Sequence, residues 1–391
     1  MNKTKLQVLK GFSGIYHSEG DIDVYFAPGR VNIIGEHIDY NGGHVFPCAL
    51  SVGTYLAVKK RDDNVIRLFS KNCVKAGIFQ INIEDISYDK SNGWVNYPLG
   101  VFKTLIDNGY KITHGYDLYY YGNIPGSGLS SSASIEVVTA YMLRETNNFD
   151  FTLTKLAKMC QESENKFNGL SCGIMDQYAS ALGKRNCAMF LDTATLKHEY
   201  IKMNLEPYQI VVINSQVPHS LTSSHYNDRL NECQEALKLL QTKKKGLKNL
   251  CELSLGEFNE IADVIYDPII QNRARFAVEE EQRVKDAINA LNEKDVVKFG
   301  ELLTASGDGL KYDYEATIWQ IDVLVDICLT FKGCLGSRET GGGWGGNIIA
   351  LVKKDQINTF QKYVYTAYKN KTKLKPTFLN LVIGDGVHKV K

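Results

Sequence analysis

The chain has 391 residues, and its 45 lysines and arginines nearly cancel 44 aspartates and glutamates. That length suits two domains better than one core, and 44% apolar residues are too many for a disordered chain. A formal charge of +1 argues against a surface built to neutralise nucleic-acid phosphates. No apolar stretch has the length of a signal peptide at the N-terminus or of a membrane span elsewhere. The nine cysteines include no Cys-x-x-Cys pair, so the expectation is a cytoplasmic protein with neither disulfide framework nor zinc site, and no nucleic-acid or membrane partner.

In chain order, residues 24–27, 54–58 and 116–121 are rich in aromatic and β-branched side chains and are predicted as strands. A helix is predicted over 133–144, where Ile135, Val138 and Met142 share a face, and another over 153–167. Residues 188–191 and 199–203 read as a hairpin, and 209–214 as a strand opening the second half. Helical patterns dominate 229–329, and 347–352 is the last clear strand. The expected division is 1–205 and 206–391, with no Pro/Gly/Ser linker to mark it. The basic run Lys243-Lys244-Lys245 reads as a solvated face.

Two loops carry chemical signals. Asn123-Ile124-Pro125-Gly126-Ser127-Gly128-Leu129-Ser130-Ser131-Ser132-Ala133-Ser134 follows a strand and opens a helix. Glycines admit close backbone approach, hydroxyls suit a cap, and the free amides of a helix start suit a phosphate chain. Alone, the segment is equally readable as a turn with a serine cap. Thr340-Gly341-Gly342-Gly343-Trp344-Gly345-Gly346 precedes the last strand and is either a close-approach loop or a tight turn. Neither loop is a Gly-x-x-x-x-Gly-Lys-Ser/Thr cradle, and no His-Arg-Asp with a later Asp-Phe-Gly occurs.

A third segment, Ala27-Pro28-Gly29-Arg30-Val31-Asn32-Ile33-Ile34-Gly35-Glu36-His37-Ile38-Asp39-Tyr40-Asn41-Gly42-Gly43, joins these loops in an order and spacing that resembles the galactokinases of the GHMP small-molecule kinase family. The resemblance implies an α+β chain of two domains: an N-terminal one like the second domain of ribosomal protein S5, and a ferredoxin-like C-terminal one. The active site is expected between them, with ATP and Mg2+ as cofactors, galactose as acceptor and a monomeric state. Asp176, in Cys172-Gly173-Ile174-Met175-Asp176-Gln177, matches the catalytic aspartate, with Arg30 as its partner; a helix cap is the local alternative. Glu36, His37, Asp39, Gly173, Asp176 and Tyr226 are implied in sugar binding. A metal site at Glu36-His37-x-Asp39 lacks supporting His or Cys spacing. Gly126, Ser127, Gly128, Leu129, Ser130, Ser131, Ser132 and Ala133 are implied in ATP binding, with Trp94 and Asn96 near the adenine. Ser132 and Glu164 are implied as magnesium ligands, hard oxygen donors as that ion requires.

The sequence departs from the family pattern in places. Pro125-Gly126-Ser127-Gly128 is one residue shorter than the usual Pro-x-Gly-x-Gly. Thr304-Ala305-Ser306-Gly307 lacks a histidine, Ile318-Trp319 replaces a polar pair, Phe276 stands where a histidine is common, and Asn347 replaces a frequent cysteine. Trp344 also occurs in N-acetylgalactosamine kinases of the group. The expected reaction is phosphorylation of the anomeric hydroxyl of D-galactose. The alternatives are a kinase for N-acetylgalactosamine or another galactose-like sugar, and a non-catalytic galactose and ATP sensor. The intact 130–134 serine segment disfavours the sensor.

Overall fold

The computed structural model describes residues 3–18, 20–125, 128–217 and 222–391. The aromatic and β-branched runs of the first half form a six-stranded sheet in the order His388–Lys389, Asp23–Asn32, Pro47–Arg61, Gly115–Gly122, Val65–Ser70 and Phe79–Asn82. Only Val65–Ser70 and Gly115–Gly122 run parallel. One face carries the helices Ser131–Asn147, Asn96–Asp107, Leu153–Glu162 and Met175–Leu182. The other face is closed by Lys3–Tyr16, which buries Val8, Phe12 and Tyr16 against Phe26, Ala57 and Tyr119. The predicted hairpin is present as Cys187–Asp192 paired with His198–Lys202.

In the second half, Cys334–Thr340, Asn347–Lys353, Tyr208–Asn214 and Thr377–Asn380 make a four-stranded antiparallel sheet. Trp319–Leu329 and Ile357–Thr372 cover one face, burying Ile321, Leu324, Phe360 and Val364. The long predicted helical region resolves into several helices, among them Thr222–Gln241, Pro268–Asn292 and Val296–Asp308. Their apolar faces join the same core as the first sheet, because Phe276, Ala277 and Val284 cluster with Ile34, Ile38 and Val45. The molecule is therefore of the expected α+β class. The chain's end crosses back, so that Lys389 pairs with Tyr25 on the first sheet.

Three local features position the site. The pairing of Asp23–Asn32 with Pro47–Arg61 slips between Pro28 and Arg30, and such a bulge re-aims the side chains beside it. Gly29 is required there, since a Cβ on it would lie 2.5 Å from the Leu129 carbonyl. The helix predicted over 153–167 is α-helical only to Glu162 and finishes in a π-turn, Ser163–Phe167; the extra residue turns Glu164 inward, where it is buried. Finally, the two halves are bolted together through the first motif. Gly35 donates its N–H to Glu280 at 2.9 Å, Arg338 donates to the Ile33 carbonyl at 3.0 Å, and Thr340 to the Asn32 carbonyl at 2.7 Å.

Candidate active site

Arg30 leaves the bulged strand and grips Asp176, on the first turn of Met175–Leu182, with both arms of its guanidinium: Nε to Oδ1 at 2.7 Å and Nη2 to Oδ2 at 2.8 Å. Fork-to-fork pairing of this kind fixes both planes as well as the distance. Arg30 is 5% exposed, whereas Asp176 keeps 29%, so the carboxylate still faces open space. Arg30 Nη1 also donates to the Gly128 carbonyl at 3.2 Å, which ties the pair to the serine-rich loop.

That loop departs from the expected cap. Ser130 occupies the N-cap position of Ser131–Asn147 in the left-handed region, φ 57°, and makes no capping hydrogen bond. Its hydroxyl instead donates to Asp176 Oδ2 at 2.5 Å. The first intrahelical bond runs from the Ser134 amide to the Ser130 carbonyl, so the amides of Ser131, Ser132 and Ala133 are free of it and point out of the helix start. Gly128, with φ 86°, lines the cavity in front. Leu129 is buried in the core and contributes its carbonyl, which accepts from the Arg30 amide. Gly126 and Ser127, and the shortened spacing they belong to, lie outside the described residues.

The Asp176–Arg30 pair stands in the shared wall of two adjoining cavities. The larger, about 370 Å³, is lined by Tyr97, Gly128, Ser130, Ser131, Ser132 and Glu164. The smaller, about 90 Å³, is lined by Glu36, His37, Asp39, Gly173, Gly341 and Gly342. Arg30, Cys172, Asp176, Tyr226 and Gly342 border both. The residues expected to bind sugar therefore converge on one cavity, and Gly128, Ser130, Ser131, Ser132 and Glu164, of those expected to bind phosphate and metal, on the other, while the side chains of Leu129 and Ala133 are buried and line neither. Trp94 and Asn96 border neither; Trp94 packs edge-on against Tyr120, and Asn96 donates to the Asp89 carbonyl at 2.7 Å.

In the small cavity, Glu36 is ion-paired with the fully buried Arg338 and accepts the Gly341 N–H at 3.1 Å. Burial pushes its carboxyl upward while Arg338 pulls it back. His37, also in the left-handed region with φ 62°, is boxed by Tyr40, Tyr226, Tyr314 and Trp344. Burial first, then the charges of Arg229 and Arg338, lower it to about 3, so the ring is neutral. Asp39 is raised to about 7 by burial and then by the charge of Asp176. A Cβ on Gly173 would lie 1.8 Å from Asp39 Oδ2. The glycine thus admits the Asp39 carboxylate.

In the large cavity, Ser132 and Glu164 meet through a side-chain hydrogen bond. Gln177 donates to Glu164 at 2.5 Å and to the fully buried Glu136 at 3.3 Å. Burial and then Asp176 raise Glu164 to about 7, and burial and then Glu164 push Glu136 well above the usual carboxylate range. Among the described residues no group of three or more His, Cys, Asp or Glu side chains is placed to hold a metal by itself. Glu136 was legible as the i+4 neighbour of Ser132 on one helix face. Tyr314 and Arg338 had no such signal, because only the packing of the two halves brings them here, and Tyr97, on the first turn of Asn96–Asp107, is placed by the packing of helices within the first half.

An α+β chain whose open, serine-rich helix start is hydrogen-bonded to an aspartate–arginine pair, with the second half packed against them, has the architecture of a GHMP kinase. Residues 96–184 match the GHMP kinases N terminal domain, 287–370 the GHMP kinases C terminal domain, and 10–60 the galactokinase galactose-binding signature. The chain belongs to the galactokinase family within that class. It is 45% identical to a galactokinase of Fusobacterium nucleatum subsp. nucleatum over 98% of this chain and 99% of the relative. With a Clostridium acetobutylicum galactokinase it shares 44% over 94% and 95%. The crystal structure of Lactococcus lactis galactokinase complexed with galactose superposes with a TM-score of 0.96 at 38% identity, covering 99% of this chain and 100% of that one. A mevalonate kinase at 19% identity and TM-score 0.65 shares the fold.

Proposed function

We propose that the chain transfers the γ-phosphoryl group of ATP to the anomeric hydroxyl of D-galactose, giving α-D-galactose 1-phosphate and ADP, with Asp176 as the catalytic acceptor. The observation that carries this reading is the position of Asp176: gripped by Arg30, and facing both the small cavity of hydroxyl-binding groups and the larger cavity at the helix start. Family membership supports galactose as the acceptor and ATP as the donor.

In this reading galactose occupies the small cavity, where Asp39, His37, Glu36 and Tyr226 supply a mixed set of acceptors and donors. The triphosphate lies along the free amides of Ser131, Ser132 and Ala133, where the helix dipole favours negative charge. The sugar O1–H faces the Asp176 carboxylate. As O1 bonds to the γ-phosphorus, the bond to the β,γ-bridging oxygen breaks, ADP leaves with that electron pair, and Asp176 takes the proton. Arg30 holds the acceptor's plane and places positive charge beside the moving phosphoryl group. The first motif and phosphate loop belong to the 1–205 domain, and the 206–391 domain brings Tyr226 and the glycine loop.

Magnesium fits the large cavity. Such ions take one or two protein oxygens and leave the rest of their shell to phosphate and water, and Ser132 with Glu164 is that kind of donor set. Glu136 Oε1 and Gln177 Oε1 are buried without partners beside it, which marks a polar site with capacity to spare. The bound ion supplies charge neutralisation on the phosphates; the chain's part is to hold Glu164 inward on its π-turn. All nine cysteines are free thiols, which supports a reducing, cytoplasmic setting.

ADP release measured with magnesium-ATP against galactose, N-acetylgalactosamine, glucose and a no-sugar blank tests the reading. Turnover selective for galactose is expected. Selectivity for N-acetylgalactosamine, or silence with every sugar, would overturn the choice of acceptor or of activity. Trp344 carries no argument for the larger sugar, because it packs behind His37 and borders neither cavity.

A further inference from the structure

Behind the sugar cavity runs a row of buried polar groups that the reaction does not use directly. His37 Nδ1 meets the Tyr40 hydroxyl at 2.8 Å, that hydroxyl meets the Tyr314 hydroxyl at 2.7 Å, and Tyr314 meets Cys233 Sγ at 3.2 Å. Tyr314 is 0% and Cys233 1% exposed, so the far end is sealed from water. The near end is His37 Nε2, buried without a hydrogen-bond partner on a ring that lines the small cavity. The ring cannot turn freely. Asn41 donates to the His37 carbonyl at 2.9 Å, and the aromatic box holds its faces.

A row of hydroxyls with one proton each permits only two consistent orders, with every proton pointing toward His37 or every proton pointing away. The imidazole nitrogen is the best acceptor in the row, while a thiol sulfur is a poor acceptor and a weak donor. Pointing the protons toward His37 places a phenol proton on the imidazole and leaves the weakest contact, S–H to oxygen, at the sealed end. The opposite order spends a phenol proton on sulfur.

We infer that Cys233, Tyr314 and Tyr40 act as positioning residues that fix His37 in its Nε2–H tautomer, so that His37 presents a hydrogen-bond donor to one hydroxyl of the sugar. That hydroxyl then accepts from His37 and gives its own proton to a carboxylate across the cavity, Asp39 being the one held there by Gly173. A sugar lacking this hydroxyl, or presenting it on the opposite face, leaves a buried N–H unpaired, which is the strongest form of rejection a polar site offers. The neutral state of the ring agrees with this order. Phe276, one of the departures from the family pattern, packs its ring 4.5 Å from Tyr314 and so supports the row.

The inference rests on the galactose reading of the site, and its test separates the two. Histidine labelled with 15N in the full chain gives eight side-chain spin systems, each with an Nδ1 and an Nε2 signal, and loss of one pair in His37→Gln assigns His37. The wild-type ring is expected to show the Nε2–H pattern. In Tyr40→Phe the Nδ1 partner is gone, and the ring should shift toward the Nδ1–H form. The kcat/KM for galactose should then fall about ten- to hundredfold, with the KM for ATP unchanged. Tyr314→Phe should move the tautomer part of the way. Across 2-, 3-, 4- and 6-deoxygalactose, the penalty for the hydroxyl read by His37 should shrink in Tyr40→Phe and persist for the others. An Nδ1–H ring in the wild type would overturn the inference without any variant having to fold. So would a Tyr40→Phe protein with unchanged tautomer and unchanged galactose kinetics. Wild-type protein that fails to phosphorylate galactose would sink the functional reading and leave the tautomer measurement standing.

Discussion

Gly173→Ala is the sharpest perturbation that the sugar cavity offers. The added Cβ would lie 1.8 Å from Asp39 Oδ2 and 2.2 Å from its Cγ, where ordinary contact begins near 3.4 Å. The carboxylate must retreat by about 1.6 Å, the difference between 3.4 and 1.8 Å, or the 173 backbone must move away by a similar amount. Asp39 is held by backbone hydrogen bonds from Met175 and Tyr40, and residue 173 leads directly into the helix that carries Asp176. Either displacement therefore misplaces a group that touches the sugar. A misplacement of about 1 Å costs roughly a hundredfold in rate, so kcat/KM for galactose should fall at least that far, a loss of about 2.7 kcal/mol in transition-state stabilisation. The 370 Å³ cavity does not include Gly173, and ATP affinity, measured by calorimetry without sugar, should stay within about twofold. Near-wild-type galactose kinetics would refute the assignment of Gly173 to Asp39. An equal loss of ATP affinity would show that the two cavities are not separable as described.

Four further outcomes are expected. Asp176→Asn should lower kcat by about 10²–10⁴, the usual contribution of a positioned proton acceptor, while ATP titration still gives a near-normal Kd. Ser130→Ala keeps the left-handed strain that the serine already carries at φ 57° and removes only the hydroxyl on Asp176, whereas Ser130→Gly removes the hydroxyl and relieves about 1–2 kcal/mol of that strain; thermal melts should therefore rank alanine below glycine, with both slower than wild type. Glu164→Gln should raise the half-saturating magnesium concentration at least about tenfold, with galactose KM unmoved. Asp39→Asn tests the electrostatics. The folded Asp39 titrates at about 7 against 3.8 for its ordinary value, so its contribution to stability is present below pH 4 and is lost as pH rises through 7. The melting temperature of the asparagine variant minus that of wild type should consequently grow between pH 5 and 7.5, and a flat difference would contradict the raised value.

The parts of this site that lie on single elements were legible from the sequence. The serine-rich helix start, the strand before it and the 27–43 motif carry their chemistry in local order. Groups 12 to 34 residues apart in the chain, such as Glu164 and Asp176 or Ser130 and Glu164, needed the family pattern to be placed together. The row from His37 to Cys233 was invisible. Tyr314 and Cys233 look like ordinary apolar positions of helical segments, and nothing in their spacing says that a domain junction brings them behind His37. The serine cap failed for a related reason. A serine before a helix usually caps it, but here the hydroxyl is drawn to a carboxylate 46 residues away, and the helix start is left open for a ligand instead. The π-turn at 163–167 was equally hidden, because its sequence continues the helical pattern of 153–162.

Four of the departures from the family pattern lie away from the wall between the cavities. Phe276 packs on Tyr314, Trp344 on His37 and Arg229, and Asn347 is paired with Asn214 at 3.1 Å in the second sheet. Ser306, where the neighbouring histidine is missing, donates to Glu280 at 2.5 Å, the same carboxylate that receives the Gly35 amide. Phe276, Trp344 and Ser306 therefore act on the sugar side, and none of the four touches Arg30 or Asp176; the shortened phosphate loop differs, because its Gly128 carbonyl accepts from Arg30 at 3.2 Å. Chemistry set by one arginine–aspartate pair tolerates such repacking, because the pair is fixed by its own two hydrogen bonds and by Ser130. The sugar cavity has no comparable anchor of its own: His37 depends on Tyr40, Asp39 on the missing Cβ of Gly173, and Glu36 on Arg338. Variation in the second half should thus appear as altered discrimination among sugars well before it appears as loss of phosphoryl transfer.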